Sequence, residues 1–160
     1  MSRSTFSGPI KSGTNRYAPY YNAGTTQLIQ STAFTFTAAG TTTNTIYIPA
    51  GCQILGFDLD TVTAFTGGTG SVSVGIAPAG TDYVSSTTVT TGGRVVPTYT
   101  AAQLTAMLAT PVNVSSQTAN NTGACSTLSI TAVAGTGVTA GALVVTVRYI
   151  QVQPYTFGNQ

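Results

Sequence analysis

Two carboxylates stand two residues apart in the stretch QILGFDLDTVTAF, residues 53–65: Asp58 and Asp60. The one other acid in the chain is Asp82. In an extended strand, residues i and i+2 project from the same face. Asp58 and Asp60 could therefore hold Ca²⁺ together or, with Asp82, act as a carboxylate cluster. Calcium asks for about six or more oxygens, and Thr hydroxyls and backbone carbonyls would have to supply the rest. The competing reading is that two acids on a solvent-facing strand keep its edge soluble. That reading is preferred, and no metal or cofactor is expected. The chain has no His, no Glu and no Trp, so the usual Ser/His and Cys/His nucleophiles and any imidazole ligand are excluded. An enzyme is not expected.

Three other motifs have structural readings. GTGVTA, residues 135–140, matches a nucleotide-binding glycine pattern. The residues after it, GALVVTVRY, read as a strand, so no helix N-terminus awaits a phosphate. The motif is read as a hairpin turn, and GGTG, residues 67–70, likewise as a turn between two strands. Cys52 and Cys125 lack metal-ligand spacing and are read as buried thiols rather than a disulfide. The sequons NVS (113–115) and NNT (120–122) are expected by chance in so Ser/Thr-rich a chain.

The positive charge is concentrated at one end. Of five Lys and Arg, three (Arg3, Lys11 and Arg16) lie in MSRSTFSGPIKSGTNRY, residues 1–17, with no acid among them. The rest of the chain sets Arg94 and Arg148 against the three aspartates, a balance of −1. Charged residues make up 5% of the 160 residues, far below the roughly one quarter usual in soluble domains, while about a fifth are Thr. Hydroxyls must carry the solubility, and a nearly neutral body favours association. No apolar h-region comes after the basic start, so no secretory signal is expected. The longest apolar stretch, AGALVVTV at 140–147, is strand-length, and no membrane span is expected.

The elements that must position these residues are strands. Residues 1–26 show no periodicity and read as an extended N-terminal arm; residues 27–160 read as one β-domain. Period-2 patterns predict strands over 27–38, 44–49, 53–65, 71–77, 93–97, 110–116, 126–133 and 142–153. About eight strands separated by Gly, Pro and Asn turns predict an all-β, jelly-roll-like antiparallel sandwich. In the third of these strands Leu55, Phe57, Leu59 and Phe65 are expected on the core face, opposite Gly56, Asp58 and Asp60. The last strand alternates Val145, Val147 and Tyr149 with Val144, Thr146, Arg148 and Ile150; with both faces partly apolar it should be central. One helix is signalled by YTAAQLTAML. Thr100 is the N-cap, Gln103 completes a capping box, Tyr99 and Leu104 are placed for a hydrophobic staple, and Pro111 lies beyond its end. It should cross between sheets or plug one end of the sandwich.

The arm interleaves its cations with Phe6, Tyr17, Tyr20 and Tyr21. Three cations spread over this length are too few for nucleic acid, where a dense basic patch is expected. Arg and Tyr are favoured anchors in protein interfaces, so the arm is read as partner-binding.

The segment SRSTFSGPIKSG, together with the later IYIPAGCQILGFDLDTVTAFTGGTGSVSVGI, resembles small virion structural proteins of tailed bacteriophages, the head decoration or cement proteins. The shared features are the Ser/Gly arm, an I-P-A-G entering a long strand, and a T-A-F-x-G-G-x-G hairpin into a second strand, together about a third of the chain. The resemblance implies a β-sandwich body, a homotrimer, and extended termini clamped on the major capsid protein lattice at the outer surface of the virion, after synthesis in the host cytoplasm. It implies no catalytic residues, and it makes Arg3, Lys11, Arg16, Tyr17 and Tyr20 the anchoring positions. It does not account for the two cysteines. The alternative is a receptor- or glycan-binding module of a phage fibre or tail tip, which exposed loop aromatics and Asp-bound Ca²⁺ would favour.

Overall fold

The computed structural model describes residues 27–49, 52–109 and 126–151. Eight strands and one helix succeed one another: β1 Gln27–Phe36, β2 Gly40–Ile48, β3 Cys52–Thr66, β4 Gly70–Gly75, β5 Val84–Thr88, β6 Gly93–Val95, α1 Ala101–Ala109, β7 Ser126–Ala134 and β8 Ala140–Gln151. They form two four-stranded antiparallel sheets, ordered β1-β8-β3-β6 and β2-β7-β4-β5. The pairings β1 with β8, β2 with β7, β3 with β6 and β4 with β5 are nested, as if one long hairpin had been folded over on itself. This nesting is the connectivity of a jelly roll, and the expected all-β sandwich is observed.

Alternation along the strands builds the core between the sheets. Leu128, Ile130 and Ala132 of β7, Val145 and Val147 of β8, and Val74 of β4 are fully buried. As expected, β8 is central: its other face, from Ala142 to Ile150, is half-buried between β1 and β3. Phe65 is gripped across the sandwich, since a Cβ built on Gly70 or on Gly141 would fall 2.6 Å from its ring. Only glycine fits at either position. The open side between β1 and β2 is stitched by Asn44 Nδ2, which donates to Thr32 Oγ1 (2.8 Å) and to the Ala33 carbonyl (3.1 Å).

Several expectations are corrected. Strand β5, VSSTT, carries no sequence signal of its own. It is an edge strand whose Ser and Thr face solvent, and Val84 is its one buried apolar residue, so period-2 hydrophobicity has nothing to register. Strand β2 begins at Gly40 rather than Asn44, because its first half is exposed Thr held by pairing with β7. The two Gly-rich turns are not hairpins. Residues 67–69 lead from β3 in one sheet to β4 in the other, and 135–139 lead from β7 to β8 across the same gap. They abut backbone to backbone: a Cβ on Gly67 or Gly137 would overlap the other's carbonyl oxygen, and both glycines have positive φ (83° and 88°). Local sequence marks a reversal but not whether the chain re-pairs or changes sheet. The strand expected over 110–116, both sequons and Cys125 lie outside the described residues; Cys52 is buried, as expected.

Candidate interaction surface

The outer face of the first sheet carries Asp58, Asp60, Arg94 and Arg148 in register. Gly56 sits opposite Arg148, Asp58 opposite Thr146 and Asp60 opposite Val144 on β8, while Arg94 of β6 lies opposite Asp60. Asp58 and Asp60 do share a face, but each is occupied by an arginine. Arg94 donates from Nε to Asp60 Oδ1 (2.7 Å) and from Nη2 to Oδ2 (3.0 Å), a bidentate fork. That hydrogen bonding, with Arg94's charge as a smaller contribution, holds the Asp60 carboxyl below the ordinary carboxylate value despite some opposing desolvation. Arg148 Nε lies 3.0 Å from Asp58 Oδ2, but its N–H is not directed at the oxygen, so the contact is ionic rather than a hydrogen bond. Asp82 stands apart from both. Its Oδ2 accepts the Ile76 N–H (3.0 Å) and closes the loop after β4. The same loop is tied down by the Ala79 N–H, donated to Thr131 Oγ1 on β7 (2.8 Å). Among the described residues no three His, Cys, Asp or Glu side chains gather where a metal ion could be held.

The second feature is where α1 meets the start of β3. The β3–β8 register breaks between Ile54 and Gly56, a β-bulge in which Gly56 adopts φ 153°. A side chain there would meet Arg148 Nη2 at 3.2 Å and Tyr99 Oη at 3.4 Å. The bulge resets the strand's phase, so Cys52 and Ile54 point inward before it, and Phe57, Leu59 and Thr61 after it. Leu55, expected in the core, is instead 43% exposed. Tyr99 reaches in from the residue preceding the helix cap, and its hydroxyl accepts the Phe57 N–H at 2.9 Å. Burial of the phenol raises its pKa above the ordinary tyrosine value, with the backbone hydrogen bond at Phe57 opposing.

The capping box of α1 is reciprocal: the Thr100 N–H donates to Gln103 Oε1 (2.9 Å) and the Gln103 N–H to Thr100 Oγ1 (3.2 Å). Buried Gln103 also donates from Nε2 to the Thr81 carbonyl (3.0 Å) and to Ser85 Oγ (2.9 Å), which anchors the helix to β5 and the loop before it. Thus α1 crosses between sheets, as one of the two expected roles required, and packs on β3. Its buried face is Gln103 and Met107. Leu104, expected to staple against Tyr99, is 49% exposed, and Leu108 is 62% exposed. With Gln53, Ile54, Leu55 and Met107 they line an open apolar groove of about 310 Å³. Sequence reasoning missed this groove. Its signal is Gly56 inside a strand pattern, which marks bulges, together with a second Leu four residues after Leu104.

Elsewhere Ile29, Tyr47, Val62 and Ile76 are each more than 60% exposed. The arm positions Arg3, Phe6, Lys11, Arg16, Tyr17, Tyr20 and Tyr21 lie outside the described residues. No helix among the described residues is long and apolar enough to cross a membrane.

No protein-family model matches the chain, and no curated protein matches it. Among solved structures it is similar to a chain of the cyanophage Pam1 capsid asymmetric unit, with 19% identity over 91% of this chain and 99% of that one and a TM-score of 0.40. At that identity and score the likeness assigns no function.

Proposed function

We propose that this protein is a non-enzymatic structural protein of a virion, a decoration or cement protein that binds the major capsid protein lattice on the outer surface of the head and stabilises it. The observation that carries the reading is how the body uses its charge. Asp58 and Asp60 hold Arg148 and Arg94, Asp82 holds a backbone amide, and the surface around them is hydroxyl-rich with large apolar side chains left exposed. Such a surface suits contact with other protein better than a free life in solution. The cations not used in these pairs are Arg3, Lys11 and Arg16 of the arm. In this reading residues 1–26 are the arm and 27–160 the body. The arm's cations, with Phe6, Tyr17, Tyr20 and Tyr21, anchor on capsid subunits, and assembly as a homotrimer multiplies weak contacts through avidity. Neither a nucleic acid nor a membrane is a partner.

Deleting residues 1–21 tests the reading. Co-sedimentation with expanded capsids should be lost while the far-UV spectrum and melting of the body are kept; unchanged binding removes the arm's role. The fibre- or tail-tip alternative leans on exposed loop aromatics and an Asp-bound calcium; for the calcium, Asp58 and Asp60 already hold arginines. A calcium-dependent signal on a glycan array would favour it over the proposal.

A further inference from the structure

The outer strands of the two sheets are β1 and β6, and β2 and β5. Strand β6 has three residues, one of them Arg94, and α1 is anchored to β5 through Gln103. Strand β2 has its Tyr47 carbonyl occupied by Gln30 Nε2 at 3.0 Å, and its first half, GTTTNT, has no large apolar side chain. Strand β1, QLIQSTAFTF, is different. Its ten residues include no charge and no proline, and its register with β8 runs from Gln27 to Phe36 without a bulge. Lysine, proline and bulges are the devices that keep an edge from pairing, and β1 has none of them.

Which amides of β1 face outward is fixed by the hydrogen bonding on either side of β8. The Phe57 N–H goes to Tyr99 rather than to β8, so by alternation Asp58 and Asp60 bond Thr146 and Val144. The intervening Val145 and Val147 therefore bond β1, at Thr32 and Gln30. The odd-numbered residues of β1 are left on the free edge, and the Ala33 carbonyl, held from that side by Asn44 Nδ2, agrees. With Ala33 occupied, the open positions are Gln27, Ile29 and Ser31. Here Ile29 is 61% and Leu28 36% exposed.

We propose that this edge pairs antiparallel with the β1 edge of a second copy, about a two-fold axis at Ile29. That register sets Ile29 opposite its own symmetry mate, Gln27 opposite Ser31 and Leu28 opposite Gln30. Each odd-numbered pair exchanges both of its N–H···O bonds. The occupant is a second copy because the segment is self-complementary. Beside a two-fold axis a charged side chain is repelled by its own copy, and β1 carries none, while its two exposed apolar side chains are covered in the same step. A two-fold contact does not close a three-fold ring, so this one joins trimers of the proposed assembly to one another.

The full-length chain carrying Ile29→Cys tests the pairing. Opposed Cα atoms in such a pair lie about 5.5 Å apart, within the roughly 4.4–6.8 Å that a disulfide spans. Mild oxidation should give a covalent dimer whose peptide map links position 29 to position 29. Gln27→Cys should not link to itself, because its copies stand about 14 Å apart in this register, whereas Gln27→Cys/Ser31→Cys should link position 27 to position 31. In sedimentation across a concentration series, the heaviest species of the unaltered chain should have about twice the mass, or more, of the heaviest in Ile29→Lys, where two like charges face each other across the axis. Linkage of position 27 to itself, no linkage at position 29, or equal masses would overturn the proposal. Neither readout involves the arm or a capsid, so its failure leaves the virion reading untouched.

Discussion

Tyr99→Phe isolates one atom on which the seating of α1 depends. The Tyr99 hydroxyl accepts the Phe57 N–H at 2.9 Å, and Phe57 is 0% exposed, so the variant takes the acceptor from an amide on a buried residue. Leaving a buried donor unpaired costs about 1–3 kcal/mol. The reverse contact, from the hydroxyl to the Phe57 carbonyl at 3.4 Å, is too long to add much. For a chain of this size each kcal/mol lowers the melting temperature by about 2–4 °C, so thermal unfolding at pH 7 should shift down by roughly 2–12 °C. A second signature lies in alkali. Burial raises the folded-state pKa of Tyr99 above its ordinary 10.0. The stability this represents is complete below pH 10 and is lost as pH rises through the folded value, because the unfolded chain ionises first. Tyr99→Phe should abolish that part of the loss, and the gap between the two proteins should narrow above pH 10. Calorimetry across pH 7–11 measures both effects. Equal melting temperatures at pH 7, with parallel alkaline limbs, would refute the role assigned to this hydroxyl at the bulge.

Gly141→Ala puts a Cβ 2.6 Å from the Phe65 ring. It should cost about 1–3 kcal/mol by overpacking, and the cost should shrink in a Phe65→Leu background, measured as coupling in a urea double-mutant cycle. Gln103→Ala removes one acceptor and two donor contacts of a buried amide and should destabilise by about 2–3 kcal/mol while increasing exchange at α1. Asp60→Asn breaks an exposed fork and should leave the melting temperature at pH 7 nearly unchanged. Because Arg94 lowers the folded-state pKa of Asp60, the pair's contribution is present above the ordinary carboxylate value and lost as pH falls through the lowered one. The variant and parent should therefore converge in acid.

The sandwich was legible because most of its strands alternate strictly. Phe57 and Leu59, Leu128 and Ile130, and Val145 and Val147 announce a core face without reference to the rest of the chain. The capping box was legible for the same reason, since Thr100 and Gln103 satisfy each other within one turn. What local pattern cannot carry is the partner. Strand β5 is nearly all hydroxyl and exists because β4 lies beside it. Gly67 and Gly137 mark sharp turns, yet the change of sheet is decided by the nested pairing. Leu55 fits the core pattern of its neighbours, and the bulge at Gly56, stabilised by Tyr99 from a distant part of the chain, turns it outward. The candidate site divides in the same way. The pairing of Asp58 and Asp60 on one face came from spacing, but their arginines came from β8 and β6.

That this body is built to be assembled on a capsid through its arm is tested most directly by an electron cryomicroscopy reconstruction of the purified particle. The predicted result is density for the eight-stranded sandwich on the outer surface of the head, grouped in threes, with residues 1–21 lying along major capsid protein subunits. Sandwich density confined to a tail fibre or tip, or a purified particle lacking the protein, would contradict it.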